Sequence, residues 1–194
     1  MTDKTFSPFI DFLQLFKNIP SADVETICDH LSFRKVSNGD ALLNEGRVAK
    51  ELFFVCKGIL KIVSTTDKGN VVVQFFLKEN QFCTNMNSFL NGVPANEGIE
   101  AASDAELIVF SKQKLNLLYD QLPYLKELIV GITKQALLDK IQIRNSYMGE
   151  DATTRYRKFI LRQSDIALRV PLSDIASYLG ITQQSLSRIR RSIK

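Results

Sequence analysis

The segment from Val170 to Lys194 contains the residue spacing that most constrains what this chain can fold into. Ile175 and Ala176 lie four and three residues before Leu179, so all three share one face of a short helix. Gly180 follows, where that helix must end and the chain must bend. Glycine adopts the left-handed conformation of such a turn without steric cost. The pattern therefore predicts a helix that ends in a tight turn.

A second helix is predicted directly after this turn. Thr182 is suited to cap its first turn, and Leu186 and Ile189 form its apolar face. Ala176 is small at the point where the two helices would cross, so they can approach closely. This spacing is typical of a helix-turn-helix. The predicted DNA-binding residues are Thr182, Gln183, Gln184, Ser187, Arg188 and Arg191. The alternative is an ordinary helical hairpin with a solvated polar face.

Charge is divided unevenly along the chain. The whole sequence has a net charge of +4, but residues 153–194 contain only two acidic residues, Asp165 and Asp174. The basic residues of the same segment are Arg155, Arg157, Lys158, Arg162, Arg169, Arg188, Arg190, Arg191 and Lys194. A basic C-terminal part on a mildly acidic body indicates a polyanionic partner. Together with the helix-turn-helix spacing, this charge favours double-stranded DNA as that partner.

Composition excludes several other classes of protein. No apolar run approaches the roughly 18 residues that a membrane helix needs, and the N-terminus lacks a signal-peptide pattern. Cys28, Cys56 and Cys83 are far apart and odd in number, which fits reduced thiols in the cytoplasm. The single histidine and the lack of a nucleophile–base pair or metal-ligand cluster argue against an enzyme, a cofactor or a metal site. We expect a cytoplasmic protein without a membrane partner.

The first two thirds of the chain change from a helical to a β-strand pattern. Residues 8–31 favour one or two helices, broken at Pro20, with Ser21 as the cap of the second. Residues 33–82 contain short β-rich runs between glycine, asparagine and aspartate. Lys57-Gly58 is predicted to be the turn of a hairpin and residues 67–70 the next turn. Strands this short and dense indicate a small barrel or sandwich.

A long helix is predicted from Tyr124 to about Met148, and it is apolar on two sides. One stripe, assigned here to dimerisation, consists of Leu125, Leu128, Ile129, Ile132 and Ala136. The other stripe consists of Val130, Leu137, Ile141 and Met148. A helix of this kind must bury both sides, so one side can cover the β-rich part and the other needs a partner such as a second copy. The alternative is a helix packed entirely within one subunit.

Breaks in these patterns suggest the domain boundaries. Gly149 to Asp151 is predicted to be a hinge, with Asp151 capping a helix from Thr153 to Gln163. We therefore expect a sensor domain at residues 1–123, a dimerisation helix at 124–148 and a DNA-binding domain at 149–194.

This layout resembles the family of the cyclic-AMP receptor protein and the fumarate-nitrate regulator (CRP/FNR). The residues that carry the resemblance are Asn38-Gly39-Asp40, Asn44-Glu45-Gly46, the runs FFVCKGILKIV and KENQF, Arg155-Tyr156 and IASYLGITQQSLSRIRR. The resemblance implies an α+β fold with an N-terminal antiparallel β-roll, jelly-roll-like, flanked by helices. It also implies a homodimer joined along the long helix, a two-fold symmetric operator in DNA, and RNA polymerase as a further partner.

The resemblance also locates a phosphate-binding cassette, in which this sequence departs from the family. Members that bind cyclic AMP have Phe-Gly-Glu and then an arginine followed by Ser or Thr. The matching positions here are Phe82, Cys83, Thr84, Ala95 and Asn96. The arginine is therefore missing, and Glu97 places negative charge beside its position. We expect no binding of cyclic nucleotides; the effector is another small molecule or there is none.

Other sensing chemistries of the family find little support in the residues. An iron–sulfur centre needs four cysteines, three more than the N-terminal region provides. His30 is better explained as a surface or capping residue than as a haem ligand. Cys83 is either a redox switch or, as we favour, a buried thiol.

Two further expectations concern the C-terminus and the function class. The sequence stops three residues after Arg191, so we expect no β-hairpin wing after the recognition helix, with Arg190, Arg191 and Lys194 partly offsetting its phosphate contacts. The main alternative to a transcription regulator is a ligand-binding or protein-interaction module that has lost DNA binding.

Overall fold

The computed structural model describes residues 5–193, and within them an antiparallel β-roll precedes a helical C-terminal part. The strands are β1 (Ser32–Val36), β2 (Ala41–Leu43), β3 (Glu51–Lys57), β4 (Leu60–Thr65), β5 (Val71–Leu77), β6 (Phe82–Cys83), β7 (Gly98–Ala101) and β8 (Ala105–Ser111). They form two four-stranded sheets, ordered β1-β8-β3-β6 and β2-β7-β4-β5. Strand β5 is therefore an edge of the second sheet. The predicted α+β class with an N-terminal roll is confirmed.

The hairpin predicted at Lys57-Gly58 is wrong. Strand β3 pairs with β6 and β8, whereas β4 pairs with β5 and β7, so the turn carries the chain from one sheet to the other. Gly58 has a φ of +95°, and its N–H donates to the Glu79 carboxylate at 2.7 Å. The turn predicted at residues 67–70 is present and joins β4 to β5, with the Thr66 N–H bonded to the Asn70 carbonyl at 2.9 Å.

Two layers of apolar packing hold the roll together. Between the sheets, the strands bury the alternating side chains Phe53, Val55, Leu60, Leu77, Leu107 and Val109. On the outer face of the first sheet, helices α1 (Ser7–Gln14) and α2 (Ser21–Asp29) cover Phe54 and Phe110. The Phe9 ring lies 5.0 Å and 5.3 Å from these two rings, centroid to centroid, in edge-on arrangements. The roll is therefore buried on both faces of its first sheet.

The helices begin close to the residues that the sequence indicates. The remaining ones are α3 (Met86–Asn91), α4 (Lys112–Gln121), α5 (Pro123–Asn145), α6 (Ala152–Arg162), α7 (Ser164–Ala167), α8 (Leu172–Leu179) and α9 (Gln183–Ser192). Ser21 is the first residue of α2 and not its cap, which is Pro20. Helix α5 ends three residues before the predicted Met148. Asp151 caps α6 as predicted, its carboxylate accepting from the backbone N–H of Thr153 and of Thr154.

None of the helices within residues 5–193 combines the length and the apolar composition that crossing a membrane requires.

We expect Gly58→Ala to destabilise the roll strongly. A Cβ at this position would lie 2.3 Å from the Asp104 carbonyl oxygen and 2.6 Å from Ala105, in addition to the unfavourable φ. The free energy of unfolding in urea should fall by about 3–5 kcal/mol. Gly69→Ala is the matched control, because φ there is +76° but nothing lies within 4 Å of the added Cβ. That variant should lose only about 1 kcal/mol, and equal losses would contradict the steric explanation.

Candidate nucleic-acid interface

The turn between α8 and α9 has the geometry that the sequence indicates. Gly180 has a φ of +65°, and its N–H bonds to the Ser177 carbonyl at 3.1 Å. The Ile181 N–H bonds to the Ala176 carbonyl at 3.0 Å, so the last carbonyls of α8 are satisfied. Ala176 and Leu186 are buried where the two helices pack. The two helices are therefore held at a fixed angle by a closed turn and a small-residue contact.

Helix α9 places the predicted recognition residues together on one exposed surface. Gln183, Gln184, Arg188 and Arg191 are exposed, and Ser187 is half-buried. Thr182 has a different use, because its hydroxyl accepts from the Ser185 N–H at 3.1 Å and donates to the Ser185 hydroxyl at 2.9 Å. Its side chain caps the helix, as the sequence also indicates, so the exposed polar surface of α9 consists of the other predicted residues.

Arg155 contributes to this turn in a way that the sequence did not indicate. Its Nη1 donates to the Leu179 carbonyl oxygen at 2.5 Å, at the C-terminal end of α8. A cation at the end of a helix also interacts favourably with the helix dipole. Arg155 therefore positions the turn and is not free to bind phosphate. The contact joins residues 24 apart in sequence, and no local spacing signals it.

Several other basic side chains of residues 153–194 are occupied within the chain. Lys158 donates to the Ser146 carbonyl and to Glu150, and Arg162 donates to the Ser146 hydroxyl. Arg169 pairs with Glu79. Among residues 5–193, the arginines of this segment that remain exposed without a hydrogen bond or ion pair are Arg157, Arg188, Arg190 and Arg191. Lys194 lies outside the described residues. Three of these four arginines lie on α9.

The two segments of the predicted phosphate cassette do come together. The Asn85 side-chain amide donates to the Asn96 side-chain oxygen at 3.0 Å, which joins them directly. Ala95 is buried, and its backbone bonds to Gly46 at 2.7 Å and to Arg47 at 2.9 Å. The side chain of Ala95 carries no charge at the position where the family has an arginine. The polar side chains of Asn85 and Asn96 in the cassette bond to each other.

The other three cassette residues are also occupied or buried. The Thr84 hydroxyl donates to the Glu51 carbonyl at 2.8 Å, while Phe82 and Cys83 are buried. Burial raises the pKa of the Cys83 thiol to about 12. At neutral pH this thiol is therefore protonated and weakly reactive, which favours a structural role over a redox switch.

Helix α5 carries basic side chains that act on the cassette, and the sequence did not indicate their position there. Lys140 acts on Cys83 electrostatically, and burial lowers the pKa of the Lys140 amine. Burial raises the pKa of Glu97, against the opposing effect of the positive charge of Arg144. The Arg144 guanidinium also lies 5.5 Å from the Phe75 ring centroid. The charge near the cassette is therefore mixed, and its positive part comes from α5, a helix distant in sequence.

The two apolar stripes of α5 have different environments, and one assignment needs correction. Leu125 and Ile129 are 0% and 3% exposed in the core of their own subunit, so they cannot contact a partner. Leu128 and Ile132 pack partly against that core, and Ala136 is half-buried. The apolar side chains that α5 and the turn after it expose are Val130, Leu137, Leu138, Ile141 and Met148. The exposed face is thus the second stripe and not the first.

Comparisons with known proteins agree with this architecture. Residues 33–121 match the family described as the cyclic nucleotide-binding domain. The chain is 18% identical over 185 residues to the cAMP-activated global transcriptional regulator CRP of Salmonella typhimurium, which covers 88% of this chain and 86% of that protein.

Solved structures share the fold along most of their length. The regulator CLP of Xanthomonas campestris, described as responsive to c-di-GMP, is 17% identical with a TM-score of 0.72, covering 90% of this chain and 91% of that one. A protein of Eubacterium rectale described as a transcriptional regulator of the crp/fnr family is 20% identical with a TM-score of 0.67, covering 94% and 87%. Residues 33–121 therefore match the cyclic nucleotide-binding domain family, and the predicted resemblance to the CRP/FNR family is confirmed in the fold, which is shared along nearly the whole chain.

Proposed function

We propose that this protein is a sequence-specific DNA-binding transcription regulator that acts as a homodimer. The observation that carries the proposal is the exposed polar surface of α9, which follows a closed glycine turn and carries three unpaired arginines. A helix presented in this way fits the major groove, where Arg, Gln and Ser side chains can read base edges. RNA polymerase is proposed as a further partner on the family resemblance alone.

Dimerisation is supported by the spacing of the exposed face of α5. Residues four and then three apart recur along it as Val130, Lys134, Leu137, Ile141 and Arg144, and Met148 continues the spacing just after the helix ends at Asn145. This is the heptad spacing of a two-stranded coiled coil, in which charged seam residues such as Lys134 and Arg144 help to select one register at a cost in stability. A parallel pair would place both α9 helices at the same end of the dimer. Two half-sites about 34 Å apart would then suit the two recognition helices.

We expect Ile141→Glu to produce monomers, because two carboxylates would face each other across the seam. Sedimentation at micromolar concentration should show half the mass of the unaltered protein. Leu15→Glu is the control: Leu15 is more exposed than Ile141, at 79% against 41%, but lies beyond α1. It should leave the mass unchanged. An unaltered chain that sediments as a monomer would rule out the dimer.

We also propose that the cassette does not bind cyclic AMP or cyclic GMP. A phosphate buried there would find Ala95 in place of the cassette's own arginine, and Glu97 adds a carboxylate. The positive charge of Arg144 acts on that carboxylate, and burial lowers the pKa of the Lys140 amine, so neither replaces the missing arginine. The phosphate would also have to break the Asn85–Asn96 hydrogen bond.

Titration calorimetry should therefore give no measurable heat of binding with either cyclic nucleotide at micromolar protein concentration. A dissociation constant in the micromolar range or tighter would contradict the proposed loss of the phosphate site.

Base reading is expected to depend on Gln184 and Arg188, which lie one turn apart on the exposed face of α9. Arg188 can pair with guanine O6 and N7, a contact worth about 1–3 kcal/mol of discrimination. Glutamine at 184 can bridge N7 and N6 of adenine, whereas the glutamate usual in the family accepts from cytosine.

Selection of bound sequences from random duplex DNA should test this assignment. Gln184→Glu should shift one position of each half-site toward cytosine, and Arg188→Ala should lose the guanine. Arg157→Ala removes an equally exposed arginine outside α9, so it should weaken binding without changing the selected sequence. If Gln184→Glu selects the original sequence, Gln184 is not a base reader.

A further inference from the structure

The only two acidic residues of the basic C-terminal segment both contact the β-roll. Asp174, on α8, pairs with Lys61 of β4 at 3.0 Å, and these side chains are only 16% and 14% exposed. Asp165, on α7, pairs with Lys78 just after β5 at 2.5 Å. Although burial alone would raise it, the pKa of Asp165 is held below its ordinary value by the Lys78 hydrogen bond and charge. Both carboxylates are therefore paired with a lysine of the roll in this arrangement.

Two further polar contacts join the same surfaces. Arg169 donates two hydrogen bonds to the Glu79 carboxylate, at 2.9 Å and 2.5 Å, which is a bidentate pair. Ser177 of α8 accepts a hydrogen bond from the Val73 N–H at 3.0 Å. Val73 belongs to β5, the edge strand of its sheet, so α8 satisfies a backbone donor that has no neighbouring strand.

Apolar packing continues across this junction. The Phe76 ring of β5 lies 5.3 Å from the Tyr178 ring of α8, centroid to centroid. One cluster of buried side chains includes both roll residues and helical residues, among them Ile59, Val63, Val73, Phe76, Phe159, Ile175, Ala176 and Leu186. The helix-turn-helix therefore shares a core with the roll of its own subunit. This packing joins the two parts in addition to the chain connection after α5.

The charges at this junction complement those of the recognition surface. Docking uses α7 and α8 and occupies both carboxylates, while α9 packs on α6 and α8 with its polar face exposed. A carboxylate next to DNA would repel phosphate, whereas a carboxylate paired with Lys61 or Lys78 does not. The docked arrangement is therefore compatible with DNA binding and leaves the free positive charge where DNA would lie.

From these contacts we infer that the β4–β5 hairpin holds the helix-turn-helix in its DNA-reading position, with Lys61, Lys78 and Glu79 as positioning residues. Specific DNA binding then needs no effector, because contacts within the chain already place the recognition helix. This inference rests on the proposed DNA-binding function. It assigns to the roll a role that does not depend on the cassette.

The double variant and its control change only the roll side, and the charge-exchange pair adds one substitution on α7, so that α9 keeps its sequence in every variant. Lys61→Met combined with Lys78→Met removes both lysine partners of the carboxylates. Lys68→Met is the control, because Lys68 is exposed at the turn of the same hairpin and, among residues 5–193, has no hydrogen bond or ion pair. Two measurements are made on purified full-length protein without cell extract. One is amide hydrogen exchange over Val71–Leu77, and the other is the ratio of affinity for the selected operator to affinity for random duplex.

For the double variant we expect faster exchange at β5 and a fall of about tenfold in the affinity ratio, since both ion pairs across the junction are lost, together with the Lys61–Glu100 pair within the roll. The Lys68→Met variant should match the unaltered protein in both measurements. The charge-reversed pair, Lys78→Asp combined with Asp165→Lys, should show slower amide hydrogen exchange at β5 than Lys78→Asp alone. The ratio of operator affinity to random-duplex affinity is used because a change in the protein's non-specific attraction to DNA phosphates affects both affinities equally.

Three results would overturn the inference. Unchanged exchange in the double variant would show that these pairs do not hold the junction. Faster exchange with an unchanged or increased affinity ratio would show that docking does not favour DNA reading. An unaltered protein that binds its operator only after cell extract is added would show that an effector is required. If the unaltered protein binds no DNA under any condition, the proposed function fails, while hydrogen exchange still tests the junction itself.

Discussion

The packing of α8 against the edge strand of the roll is the interaction on which the C-terminal part depends. Helix α8 is only eight residues long, too short to be stable alone. It is stabilised because Ile175, Ala176 and Leu179 are buried, in a cluster shared with Leu186 of α9 and with Val73 of β5. Apolar burial stabilises by about 25 cal/mol per Å² but has no directional preference. The ion pairs with the roll select one docked orientation among those that apolar contact would allow.

Sequence reasoning found the helix-turn-helix because its signals are local. Gly180, the Thr182 cap and the spacing of the buried residues all act within one or two helical turns. The same reasoning failed at Lys57-Gly58, where the turn signal was real but said nothing about which strands pair. Strand β3 pairs with β8, about 55 residues away, because both bury alternate apolar side chains against the same layers. Which strands pair at that distance in sequence depends on how their side chains pack, and a turn motif contains no information about that packing.

The candidate sites show the same limit. The exposed residues of α9 could be identified from the sequence, since the apolar positions fix which face is buried. The hydrogen bond of Arg155 to Leu179 and the electrostatic effect of Lys140 on Cys83 join distant segments, and no local pattern signals them. For α5 the sequence showed two stripes but not which one faces the roll, because both are equally apolar. Leu125 and Ile129 are buried because they belong to the core cluster that α1, α2 and α4 form with the outer face of the first sheet.

The charged side chains of the C-terminal segment lie on two surfaces, the solvent-exposed face of α9 and the partly buried junction with the roll. The arginines of α9 are exposed, so salt screens them and DNA binding through them should weaken as ionic strength rises. The Lys61–Asp174 pair is mostly buried, and salt affects it much less. A loss of DNA affinity with salt would therefore report mainly the phosphate contacts, while the docked orientation persists. Composition shows only that the segment is basic. The structure distinguishes the two uses, since the carboxylates face the roll and the unpaired arginines face solvent.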